Sequence, residues 1–63
     1  MTENIYEVIF TCIKDGEEHL IGPIRMQEKL REVAVAKAAI EAYKNDQFKG
    51  VKLTSLKVKV RGW

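Results

Sequence analysis

Apolar and polar residues alternate through much of this chain. One segment departs from the alternation by being apolar in both phases: Ile5 to Ile13, Ile-Tyr-Glu-Val-Ile-Phe-Thr-Cys-Ile. On a strand, Tyr6, Val8, Phe10 and Cys12 point one way. Ile5, Ile9 and Ile13 point the other way, with Glu7 and Thr11 between them. A strand apolar on both faces needs cover on both sides, which predicts a central place in its sheet.

Lys14-Asp15-Gly16-Glu17 follows, and Asp-Gly between two apolar runs is a strong hairpin signal. A two-residue Asp15-Gly16 turn would set Phe10 opposite Ile21 and Cys12 opposite His19. A three-residue Lys14-Asp15-Gly16 loop with a left-handed Gly16 would set Phe10 opposite Leu20. The longer loop is preferred, because it collects Leu20, Gly22, Ile24 and Met26 on the Tyr6/Val8/Phe10 face. The second strand then runs from about Glu18 to Met26. Pro23 has no amide to donate, which predicts an edge strand or a bulge.

Residues from Gln27 to about Asp46 read as the helix, with five alanines and no Gly or Pro. At 100° per residue Val33, Val35, Ala36, Ala39, Ile40, Ala42 and Tyr43 share one wide arc, and Arg31, Lys37, Glu41 and Lys44 lie opposite. No capping residue stands just ahead of Glu28, so a start nearer Arg31 fits equally. Gly50 is suited to a left-handed stop, and Phe48 is expected to fold back on the core edge. From Val51 to Trp63 a third strand is expected. Leu56, Val58 and Val60 alternate with Lys57, Lys59 and Arg61, and a change of phase at Thr54-Ser55 predicts a bulge, or a strand that begins only at Ser55.

These elements assemble as an α+β fold: ββαβ, a three-stranded antiparallel sheet of order 2-1-3 with one helix packed on one face. Residues 1–63 form a single domain. A chain of this length buries roughly 60% of its unfolded surface. Its stability is then on the order of 3–9 kcal/mol.

With 46% apolar and 32% charged residues the composition is that of a soluble globule. A formal net charge of +2 does not by itself indicate nucleic-acid binding. Its distribution is uneven. Acid gathers in the first half, and from Lys49 onward every charge is positive. A lone cysteine makes no internal disulfide, no run of 18 apolar residues is present, and no signal peptide is visible. The expected location is the cytoplasm, that of the host cell if a virus or plasmid encodes the chain.

Little here carries chemistry. His19 is the only histidine and Cys12 the only thiol, and neither has an evident orienting partner. One His and one Cys do not make a metal site, and the four glycines form no phosphate-cradling motif. No enzyme activity, metal or cofactor is expected.

The helix-free face of the sheet is the informative one. Alternation assigns it Glu7, Ile9, Thr11 and Ile13, then His19, Ile21, Pro23 and Arg25, then Lys57, Lys59, Arg61 and the terminal Trp63. In the plainer reading, the isoleucines supply strand propensity and the lysines guard an edge. In the sharper one, Ile9, Ile13, Ile21, Lys57, Lys59, Arg61 and Trp63 dock a protein partner. The isoleucines would give affinity, and the basic groups orientation and on-rate. An RNA- or DNA-binding module using Arg25, Lys52, Lys57, Lys59 and Arg61 is the alternative, although only Trp63 offers a ring on which a base could stack. A homodimer pairing this face with a second copy is a third reading. Nothing points to a membrane partner.

In architecture the chain resembles small accessory proteins of phages and plasmids, including anti-defence and anti-CRISPR inhibitors, through its strand-strand-helix-strand order and single Ala-rich helix. The run Lys49-Gly50-Val51-Lys52 before a final strand is similar to small archaeal ribosomal proteins. The first resemblance implies inhibition of a host or defence protein, the second a ribosomal RNA partner. Neither assigns a role to a particular residue.

Overall fold

The structure, a computed structural model, describes residues 4–62. Two long strands, β1 (Asn4–Lys14) and β2 (Glu17–Glu28), form a hairpin, followed by α1 (Arg31–Lys44) and β3 (Val51–Gly62). The sheet order is β2-β1-β3, antiparallel at both junctions. The doubly apolar segment is therefore central, and the strand carrying Pro23 is an edge.

The hairpin closes through the shorter of the two turns. Asp15 and Gly16 both have positive φ, 52° and 82°, the pair of left-handed residues that a two-residue turn needs to match strand twist. Lys14 faces Glu17, Cys12 faces His19 and Phe10 faces Ile21. This corrects the three-residue loop. Asp tolerates the left-handed region well enough for the tighter turn to form, and the shift of one residue reverses the facing of everything near the tip. Ile21 is therefore 2% exposed in the core and Leu20 is 63% exposed on the other side.

A second irregularity restores the phase. Val8 pairs with Ile24 while Phe10 pairs with Ile21, so the single residue Ile9 spans both Gly22 and Pro23. At this bulge Gly22 adopts φ 110°, and a Cβ placed there would lie 2.7 Å from the Val8 carbonyl oxygen. Only glycine fits that approach. Beyond the bulge Ile24 and Met26 return to the core side, as the pattern predicted.

Val8, Phe10, Cys12 and Ile21 form the sheet half of the core. Ala34, Ala38 and Ala42 form the helix half, with Phe48 set edge-on against Phe10 at 5.5 Å between ring centres. The helix begins at Arg31 rather than Gln27, the later of the two starts the sequence allows, since β2 continues through Glu28. It ends on left-handed Asp46: the Gln47 amide donates to the Ala42 carbonyl and the Asp46 amide to that of Tyr43.

The helix is also rolled relative to the expected arc. Its buried stripe is Ala34, Ala38 and Ala42, while Val33, Ile40 and Tyr43 are exposed at 36%, 54% and 74%. Alanines permit the close approach that a small core requires, so the larger residues are turned outward. The Lys37 ammonium donates to the Glu28 carboxylate at 2.7 Å, fixing the charged flank on the β2 side. Val35, on the other flank, borders a groove together with Val58 and Val60 of β3.

Candidate binding surface

Residues paired across neighbouring strands share a sheet face. The registers therefore place Ile5, Glu7, Ile9, Thr11 and Ile13 of β1 on the helix-free face. Beside them stand Glu18, Leu20 and Arg25 of β2, and Lys57, Lys59 and Arg61 of β3. Lys52 joins them opposite Ile13 because β3 bulges between Lys52 and Lys57. The bulge is held by Ser55, whose hydroxyl accepts the Ile13 amide at 2.8 Å and donates to the Lys52 carbonyl. This is the phase change expected at Thr54-Ser55.

The face thus gathers Arg25, Lys52, Lys57, Lys59 and Arg61 against the carboxylates of Glu7 and Glu18. Arg25 donates to Glu7 at 3.2 Å, and Arg61 stands opposite Glu7 on the other side. That end of the face is partly compensated, whereas Lys57 and Lys59 stand opposite Thr11 and Ile9. Between the charges Ile5, Ile13 and Leu20 are 45%, 37% and 63% exposed, and Ile9 is half-buried.

Two residues expected here lie elsewhere. Ile21 is a core residue, and His19 stands opposite Cys12 on the helix side, both because of the shorter turn. Leu20 takes the place assigned to Ile21. Trp63 lies outside the described residues. The buried Cys12 thiol contacts the backbone carbonyl of His19 at 3.7 Å rather than its imidazole, so the two do not form a nucleophile and base. Among the described residues no three His, Cys, Asp or Glu side chains are grouped to hold a metal ion.

Sequence reasoning missed a second surface. The helix packs on β2 and β1; on β3, Val51 and Leu56 pack against the core while Val58 is left 48% exposed. A groove of about 310 Å³ lies there, lined by Arg31, Glu32, Val35, Val58 and Val60. Helix width gives the signal that could have found it. At ~10 Å across, one helix covers about two strands spaced ~4.8 Å apart, not three.

No family model, curated protein or solved structure matches this chain. Among the described residues no helix is long and apolar enough to cross a membrane.

Proposed function

We propose that this chain is a non-enzymatic protein-binding module that docks through its helix-free sheet face and the basic row of β3. The observation that carries the reading is the sharing of one face by exposed aliphatic side chains, Ile5, Ile13 and Leu20, and a largely basic set of charges. Aliphatic groups gain by burial against protein, and Lys57 and Lys59 select an acidic partner and speed encounter with it. A single-strand nucleic acid would instead need rings for its bases. Tyr6 and Phe10 are on the opposite face by alternation, and Phe48 is packed on Phe10. A module with this surface acts by covering a working surface of its partner. Inhibition of a host or defence protein is the form of action we favour.

The test is capture from nuclease-treated extract of the source cell, or of its host, on tagged wild type, Leu20→Glu and the double variant Lys57→Glu/Lys59→Glu. At least one protein should be held by wild type and lost from both variants. Identical profiles on all three would remove the face from consideration. Shared positioning of five basic residues favours nucleic acid as a second reading. It requires retention on RNA or DNA that weakens steeply with salt and less steeply in Lys57→Ala/Lys59→Ala.

A further inference from the structure

We infer that the outer edge of β3 is a strand-addition site for an extended segment of another protein, one in which acidic and aliphatic residues alternate. The inference rests on the docking reading above and names the partner's chemistry. Three observations carry it.

The first is that β3 has an unpaired edge that is regular. From Lys57 to Gly62 it runs in unbroken register with β1, and among the described residues no strand lies on its far side. Its alternate amides and carbonyls therefore point outward. The other edge of the sheet is unsuited to pairing, because β2 is broken midway by the Gly22 bulge and by Pro23, which has no amide hydrogen.

The second is that the two phases of β3 differ in kind. Lys57, Lys59 and Arg61 project on the helix-free face. Val58 and Val60 project on the helix side into the groove beside Val35. An added strand meets both faces at once, its side chains alternating between them. Acidic residues in one phase would lie beside the lysines, and aliphatic residues in the other would extend the apolar layer that α1 leaves open.

The third is charge, which disfavours a second copy as the occupant. Antiparallel pairing of two β3 edges would set lysines and arginine of one chain beside those of the other, and like charges directly opposite are destabilising. The row that repels a second β3 attracts an acidic strand.

The test uses an end-blocked nine-residue peptide of alternating glutamate and valine, with the isotope-labelled full chain. Binding should shift and protect alternate backbone amides between Lys57 and Gly62, and added salt should weaken it. N-methylation of the peptide on one alternate set of amides should lower affinity at least tenfold, and on the other set less than twofold. Lys57→Glu/Lys59→Glu should lose at least tenfold while keeping the wild-type spectrum elsewhere. Equal binding of the two N-methylated peptides, equal binding of a lysine-for-glutamate peptide, or no β3 protection at millimolar peptide would overturn the inference. So would a peptide-free dimer whose protected amides are those of β3. If extract capture depends on Leu20 while the peptide leaves β3 untouched, face docking stands and strand addition falls.

Discussion

The facing of Leu20 and Ile21 can be decided by two conservative substitutions. Ile21 is 2% exposed among Val8, Phe10 and the alanines of α1, and Leu20 is 63% exposed on the opposite face. Removing one methyl group from a packed isoleucine costs about 0.5–1.5 kcal/mol. Urea unfolding of a small domain has a slope of about 1 kcal/mol per molar. Ile21→Val should therefore lower the unfolding midpoint by about 0.5–1.5 M. Leu20→Thr keeps strand propensity and removes only a largely solvated side chain, so its midpoint should stay within about 0.5 M of wild type. Ile21→Ala should cost about 2–5 kcal/mol, comparable with the whole stability of a chain this size, and leave a substantial unfolded population. The observable is the far-ultraviolet circular dichroism transition in urea, with slopes compared to confirm that the unfolded reference is shared. A three-residue loop at the tip would exchange the two residues. A larger loss from Leu20→Thr than from Ile21→Val would refute the two-residue turn and the free-face assignments that follow from it.

Further substitutions probe the devices that set phase and terminate the helix. Gly22→Ala forces a Cβ to within 2.7 Å of a backbone oxygen at φ 110°, and it should destabilise by about 1–3 kcal/mol in the same titration; an unchanged midpoint would mean that the bulge does not need glycine. Leu30 occupies the N-cap in an extended conformation, 59% exposed and with no side-chain cap bond, so Leu30→Asp should stabilise by about 0.5–2 kcal/mol. Asp46 ends the helix at φ 58°, a left-handed position that glycine adopts without a Cβ penalty, and Asp46→Gly should raise the midpoint by about 0.5–1 M. A drop in stability for either end variant would argue against the described helix boundaries.

Much of the architecture was legible because long-range pattern constrains it. The doubly apolar β1, the proline in β2 and the alternation of β3 each restrict a strand's place, and together they fix the order β2-β1-β3. The tip register was not legible, because both turn lengths suit the local residues. A three-residue loop collects apolar side chains on one face only if the second strand is unbroken. The chain satisfies that demand differently: a tight turn buries Ile21, and a bulge at Gly22 returns Ile24 and Met26 to the same side. Arg25 lies on the same face under either turn length, since the bulge at Gly22 offsets the one-residue difference at the tip. The roll of α1 was hidden for a different reason. Summed hydrophobicity points the helix through Val33, Ile40 and Tyr43, but the small core favours close approach, and close approach selects the alanine stripe.

That roll has a consequence for what the surface can bind. Fourteen residues of helix extend ~21 Å, whereas strands of eleven or twelve residues extend ~36–40 Å, so α1 falls short of the sheet in length as well as width. The deficit falls on β3, because α1 packs on β2 and β1. The helix-free face alone is a weak anchor. Three aliphatic side chains about half exposed supply on the order of 2–4 kcal/mol gross, less than the cost of association. Engagement of β3 adds backbone hydrogen bonds along its edge and burial of Val58 beside the groove, on top of the contacts made by Lys57 and Lys59. A partner that meets this strand edge-on therefore obtains from one element the polar, apolar and backbone contacts that the flat face provides only in part.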